Sequence, residues 1–222
     1  LLSAQTTLEG PFYKGAWVLS GRRTYFDLVL PKVLPDNINV NIPPYYFYDI
    51  QSHVFSDITS KDRISLSYYS GIDDLFFDTF GLDGRWGNNT VSGHYRRVFS
   101  ERLVGNILIA NSRFFTEFGL GGDNGLVSYN EIDDKTLSAD FSWFKSSNST
   151  VKFGAQLKKL GFEYTNKFQN TTQFQIKTEP LEFAQYIKLK YKSNNLFIIE
   201  PGLRLNLYDV YPDSLFPDLR LG

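Results

Sequence analysis

The sequence contains no cysteine, which removes disulfide frameworks, thiolate metal sites and thiol nucleophiles together. It has no excess of either charge. With 23 basic and 24 acidic residues the formal net charge is −1, so no global field draws the chain to nucleic acid or anionic lipid. No basic run interleaved with aromatics and no nucleic-acid module is present, which leaves nucleic acid out of the expected partners. No stretch approaches the roughly 18 apolar residues of a membrane helix, and a helical membrane protein is excluded. An initiator Met and a charged segment followed by an apolar one are also missing at the start, where Leu2, Ala4, Thr6 and Leu8 already alternate with Ser3, Gln5, Thr7 and Glu9. The expectation is a piece of something longer, with any targeting signal outside it.

Aromatic residues, by contrast, are abundant: 17% of the chain, with 20 Phe and 14 Tyr. They fall in alternating patterns, most plainly from Pro43 to Gly71. There Tyr46, Tyr48, Ile50, Val54 and Ile58 share one parity, and Asp49, Gln51, His53 and Asp57 the other. After a polar turn at Thr59, Ser60, Lys61 and Asp62, the residues Ile64, Leu66 and Tyr68 alternate with Ser65, Ser67 and Tyr69. Side chains on a strand point to opposite faces with a period of two, so this is a hairpin with one greasy face and one wet face.

Similar strands are expected at 1–12, from Ala16 to about Leu30, from Trp86 to Phe99, from Arg102 to about Arg113, at 136–143 and 151–158, and at 181–191 and 196–208. A further strand begins near Phe216. That makes about ten strands and the start of an eleventh. Tight turns alternate with long connections, expected at 31–44, 73–85, 114–132 and 160–178, so all tight turns fall at one end of the sheet. Pro31, Pro35, Pro43 and Pro44 keep the first of these outside the sheet. Strands of ten or more residues with short turns at one rim and long loops at the other fit a transmembrane barrel, whose strands need about 9 to 11 residues.

Charges gather on the wet parity: Asp49 and Asp57, Asp140, Lys152 and Lys158, Glu200 and Arg204. A charge facing lipid at the midplane costs about 2–4 kcal/mol, which accounts for the segregation. A soluble sandwich would segregate charges too, so strand length and loop asymmetry carry more weight. For the strand at 102–113 alternation does not choose a lipid face, because Ile107 and Ile109 have one parity and Val104, Leu108 and Ala110 the other. Tyr45, Tyr46, Tyr48, Trp86 and Trp143 lie near strand ends, as an aromatic girdle or as ordinary sheet packing.

The segments LEGPFYKGAWVLSGRRTYFDLVL, PPYYFYDIQ, KDRISLSYYSGIDDLFF, the WGN at Trp86 to Asn88, and GLRLNLY together resemble the barrel of TonB-dependent outer-membrane receptors, of the type abundant in the Bacteroidetes. The resemblance runs along nearly all of the chain. It implies an all-β, antiparallel, up-and-down transmembrane barrel of which residues 1–222 supply about 10–11 of 22 strands, in the outer membrane of a Gram-negative bacterium. It further implies a plug domain of the same full-length chain, contact with the TonB complex through a missing N-terminal part, surrounding outer-membrane lipid, and import of a scarce solute such as an iron chelate, cobalamin, a glycan or a peptide. No segment here matches the plug. About ten strands alone would leave two unpaired edges in hydrocarbon.

On this reading Asp49, Gln51, His53, Asp140, Lys152, Gln156, Lys158, Glu200 and Arg204 face the lumen. Asp73, Asp74, Asp78, Asp83 and Trp86 belong to an outer loop that meets the solute. The acidic spacing does not match an EF-hand, so a solvated loop is preferred to a Ca²⁺ site. His53 and His94 sit on different hairpins and suit lumen or packing roles better than a metal pair. Arg22 and Arg23 alternate, one toward the lumen and one snorkelling. The acceptor triplets at Asn88, Asn148 and Asn170 are coincidental in a bacterial outer membrane, and Gly119 to Gly125 is a flexible loop and not a phosphate loop. Neither catalytic triads nor paired carboxylates call for enzymatic chemistry, and no cofactor is expected. The alternatives are a secreted or surface β-sandwich serving as a binding or structural module, and another outer-membrane barrel such as a porin.

Overall fold

The computed structural model describes residues 3–33, 45–77, 81–193, 197–211 and 214–221. In chain order the elements are β1 (Ser3–Phe12), β2 (Gly15–Thr24), α1 (Phe26–Val33), β3 (Tyr45–Asp57), β4 (Asp62–Phe77), β5 (Leu82–Ser100), β6 (Leu103–Leu120), β7 (Leu126–Ser146), β8 (Ser149–Phe168), β9 (Thr171–Thr178), β10 (Leu181–Ser193), β11 (Phe197–Ile199), β12 (Gly202–Tyr211) and β13 (Ser214–Leu221). All thirteen strands join one sheet in sequence order, and every pairing is antiparallel. Among the described residues no second sheet packs on it, which removes the sandwich.

Two prolines divide what are otherwise single passes. β9 and β10 both pair with β8, on its upper and lower parts, and Glu179 and Pro180 separate them. Proline has no N–H for the ladder, yet its carbonyl keeps the register by accepting from the Leu160 N–H at 3.0 Å. Glu200 and Pro201 divide β11 from β12 in the same way, with the Leu189 N–H donating to the Pro201 carbonyl at 2.9 Å. The sheet path therefore comprises eleven passes, as the sequence leads one to expect.

Short turns connect β1 to β2, β3 to β4, β5 to β6 and β7 to β8, all at one end. The connections at the other end are long, as expected, but much of their length is strand. β4 continues through Asp73 and Asp74, and β5 already begins at Leu82. β6 runs to Leu120 and meets β7 through a 3-10 turn at Gly122–Asn124. β8 reverses into β9 over Gln169 and Asn170, both with positive φ (49° and 58°), the geometry of a two-residue primed turn. The second strand also ends earlier than its alternation suggests: β2 stops at Thr24 and α1 takes Phe26 onward. Of the proline-rich connection, residues 34–44 lie outside the described residues.

Register assigns every strand two faces and sorts them by polarity. On one face, neighbouring strands set Gly93, Ile109, Leu137, Leu157, Phe183 and Leu207 in a single row. The rows below it hold Ile107, Ala139, Ala155, Gln185 and Leu205, in which Gln185 is the polar member, then Phe141, Phe153, Ile187 and Leu203, then Leu103, Trp143, Val151 and Leu189. The undecided strand is thereby settled: Ile107 and Ile109 of β6 belong to this apolar face, and Leu108 lies between His94 and Ser138 on the other.

Burial is inverted relative to a water-soluble domain. Ala184 is the one buried hydrophobic residue among those described, at 1% exposure, and the other buried side chains are polar, including Asn206 at 2%. On the apolar face Ile109 is 62% and Leu66 51% exposed. Ala184, Asn206, Ser20 and Ser138 all belong to the polar face, whose side chains are crowded as in a sheet that curls toward it. A soluble monomer rarely leaves so continuous an apolar surface in water.

Candidate functional site

The polar face is where side chains of differing chemistry meet. On β7, β8, β10 and β12 it is charged and interconnected. Asp140, Gly154, Tyr186 and Arg204 form one row, and Ser138, Gln156, Ala184 and Asn206 the next. The Tyr186 hydroxyl donates to Asp140 at 2.6 Å. Its ring lies so close over Gly154 that a Cβ there would meet Tyr186 Cε1 at 2.8 Å. Arg204 donates to Asn206 Oδ1 (2.7 Å) and Gln156 Oε1 (3.2 Å), with Glu182 at 3.9 Å. Lys158 pairs with Asp134 at 2.8 Å, and Thr136 donates to the same carboxylate. Four of the nominated residues, Asp140, Gln156, Lys158 and Arg204, thus stand in adjacent rows. Lys152 shares their face, opposite Ser142 and Lys188.

Toward β2 and β5 the same face becomes neutral and rich in hydroxyls. His53 Nδ1 lies 2.8 Å from the Ser67 hydroxyl, Gln5 donates to Ser20 at 3.2 Å, and Thr90 and Ser112 are 2.9 Å apart. Gln51 stands opposite Ser20 and Tyr69. Charges return toward its two ends, where Asp49 is held by Arg22 at 2.6 Å and Asp57 by Arg63 at 2.7 Å. His53 and His94 share this face, but β4 runs between their strands. Among the described residues no group of three or more His, Asp or Glu side chains is gathered as a metal would need.

Glu200 is not in the ladder. It occupies the break before β12, at the tight-turn rim, and bridges Lys188 (2.5 Å) and Lys190 (3.0 Å). Hydrogen bonds from those two lysines, with their charges, bring its carboxyl down to about 2.

The nominated outer-loop residues turn out to be strand residues near the opposite rim. Asp73 and Asp74 are in β4, Asp83 and Trp86 in β5, and Asp78 lies outside the described residues. Asp73 and Trp86 are cross-strand partners on the polar face. Trp86 stacks on Tyr45 with centroids 6.4 Å apart, and the Tyr45 hydroxyl donates to Asp73 at 2.7 Å. Tyr45 and Trp86 therefore point inward, whereas Tyr46, Tyr48 and Trp143 have the parity of the apolar face. Arg22, whose guanidinium lies 4.8 Å from the Phe47 ring centroid, joins this aromatic group. Sequence reading placed Arg22 and Arg23 on opposite faces without saying which faced inward; the Arg22 partnership with Asp49 across β2 and β3 supplies that.

No protein-family model matches the sequence, and no curated protein matches it. Solved structures do. The ferripyoverdine receptor of the outer membrane of Pseudomonas aeruginosa superposes with a TM-score of 0.74 at 10% identity over 99% of this chain and 37% of its own. The copper transporter OprC gives 0.68 at 10% identity, 99% and 39%. The siderophore receptor PiuA of Acinetobacter baumannii gives 0.64 at 9% identity, 99% and 43%. The chain spans well under half the length of the proteins it matches. The fold is that of part of a TonB-dependent receptor barrel, and these neighbours are receptors and transporters.

Proposed function

We propose that this chain is a stretch of the wall of a TonB-dependent receptor in a Gram-negative outer membrane, where it takes part in importing a scarce solute. The observation that carries the reading is the inverted burial: large apolar side chains such as Ile109 and Leu66 are exposed along one face, and the buried side chains are polar apart from Ala184. In a bilayer the apolar rows face lipid, the polar face lines the lumen, and the long hairpins rise on the outer side. From the Trp143 row to the Lys135 row is about 27 Å of strand, or ~20 Å of height at a usual tilt of about 40°, close to the ~25 Å apolar band of such barrels.

Asp49, Gln51, His53, Asp140, Lys152, Gln156, Lys158 and Arg204 then meet water or a plug of the same full-length protein. Trp86, Tyr45 and Asp73 stand where an incoming solute first reaches the wall. The solute is of the iron-chelate, cobalamin, glycan or peptide class. β1 and β13 each pair on one side only among the described residues, so both edges need partners within hydrocarbon.

The test begins with single cysteines, which are clean reporters because the chain has none. Cysteines at Leu137 and Leu157 should react only with a membrane-soluble maleimide, and those at Ser138 and Gln156 only with a water-soluble one. The converse pattern sinks the topology. Deleting the gene should then abolish growth on one class of limiting solute, and deleting TonB should do the same. Uptake that persists without TonB makes the wall that of a passive pore.

A further inference from the structure

The pass made of β9 and β10 has a strand on both sides only along its lower part. β12 pairs with β10 as far as Asp209 opposite Leu181, then turns into β13 between Tyr211 and Ser214. β9 climbs above that turn to Thr171, and among the described residues it pairs with β8 alone. Its eight residues, about 26 Å of strand, thus have one open edge.

Register decides which backbone groups occupy that edge. The Leu160 N–H bonds to the Pro180 carbonyl and the Lys192 N–H to the Asn148 carbonyl, while the Leu189 N–H bonds to the Pro201 carbonyl on the β12 side. Backbone direction alternates along a strand, so even residues of this pass turn their N–H and C=O toward β8 and odd residues turn theirs away. In β9 the N–H and C=O of Gln175 and Lys177 therefore project from the open edge. Their side chains do not shield it. Gln175 donates to Glu163 at 3.4 Å and Lys177 pairs with Glu163 at 3.6 Å, both back over β8. β9 has no proline, and its one register shift lies nearer the tip, beside Asn166 and Lys167 of β8. Shielding charges, prolines and bulges are what ordinarily blunt an exposed edge. The two faces beside it differ. Phe174 and Ile176, 50% and 43% exposed, stand on the inner face with Tyr164, whose ring centroid is 6.1 Å from that of Phe174. Gln175 and Lys177 stand on the outer face.

We propose that the open edge of β9 captures an extended peptide as an added strand, apolar at the alternate positions that lie beside Phe174 and Ile176. A backbone in the β conformation is the partner whose donors and acceptors repeat at the two-residue spacing of Gln175 and Lys177. A second copy does not fit. The edge runs along the wall above the β12–β13 turn, and β9 descends toward the membrane in every copy, whereas the antiparallel pairing used throughout this sheet needs an ascending strand. The site rests on the proposed barrel topology, which sets β9 in water above the apolar band, and not on which solute is imported.

The full-length protein, in mild detergent from its own membrane, is mixed with a fluorescein-labelled peptide of alternating valine and threonine, and with the same peptide N-methylated at every residue. Fluorescence anisotropy should report binding of the first alone. Amide exchange at Gln175 and Lys177 should be fast in the free protein and at least tenfold slower with peptide, while Ile176 and Thr178, bonded to β8, change little. Gln175→Pro/Lys177→Pro removes two outward donors without touching the β8 ladder and should weaken binding at least tenfold. Lys177→Ala, which removes only the side chain, should bind as the parent does. Should the double proline variant fail to fold, the N-methylated peptide and the exchange pattern decide. Absence of binding, equal binding of the two peptides or unchanged binding in the proline variant would each overturn the site. So would slow exchange at Gln175 and Lys177 before peptide is added, because another segment of the protein would then cover the edge. A chain missing from the outer membrane would instead show that the barrel reading itself has failed.

Discussion

The lower and upper halves of β6, β7 and β8 have one backbone ladder and two kinds of surface. Below the row of Asn111, Lys135 and Lys159, their outward side chains are Ile107, Ile109, Leu137, Phe141, Phe153 and Leu157. Above it the same face carries Arg113 paired with Glu131, Glu163 with Lys177, and Tyr129. Pairing continues without interruption from Leu103 to Leu120 on β6. Hydrogen bonding therefore does not distinguish the halves. What differs is the medium outside the wall: hydrocarbon excludes charge, and water above it does not.

The sharpest way to break that comparison is to put one charge on each half. Ile107→Arg sets a guanidinium against lipid near mid-band and should cost about 2–4 kcal/mol, read as a lower urea midpoint for unfolding from micelles. Val127→Arg, of the same parity on the upper half, should change it by ~0.5 kcal/mol or less. Equal penalties would mean that the outward face meets one medium throughout.

Smaller effects sharpen the contrast on the polar face. Tyr186→Phe removes the donor to Asp140 and should cost about 1 kcal/mol, with little dependence on salt. Arg113→Ala, on the upper outward face, loses an exposed pair with Glu131 and should cost roughly 0–1 kcal/mol. That loss should shrink in 1 M salt, since surface pairs are screened.

The same change of medium explains how far the sequence can be read. From Tyr46 to Tyr69 the strands have one greasy and one wet face, and the period of two gives both parity and turn. Above the band both faces are wet, the period disappears, and Asp73 to Arg85 reads as loop although β4 stays in the ladder to Phe77 and β5 is in it from Leu82. β6 fails for another reason: Val104, Leu108 and Ala110 are apolar on the crowded polar face, so only pairing with His94 and Ser138 identifies its lipid side. After Thr24 the alternating Phe26, Leu28 and Leu30 imitate a strand where α1 forms. Among the nominated polar residues, those within strands follow from parity. Glu200 does not, because Pro201 removes it from the ladder and its role comes from Lys188 and Lys190, which are distant in sequence.

The least of the expected effects concerns the two Glu-Pro breaks, one at each edge of the apolar band. Glu179 beside Lys159 and Glu200 between Lys188 and Lys190 both have carboxyls held below the ordinary glutamate value of 4.5, Glu200 down to about 2, by hydrogen bonds from those lysines. A folded-state value below the unfolded one means stability present above about pH 4.5 and lost as the pH falls toward the folded value. Two lysines hold Glu200 and one holds Glu179 most closely, so in carboxyl ¹³C spectra Glu179 should titrate first on acidification and Glu200 last. Glu200→Gln should flatten the decline of the urea midpoint between pH 4.5 and 2 while leaving the midpoint's response above pH 5 as it was. If Glu200 instead titrates near 4.5, the bridge to Lys188 and Lys190 does not persist in solution, and the tight-turn rim is held by the ladder alone.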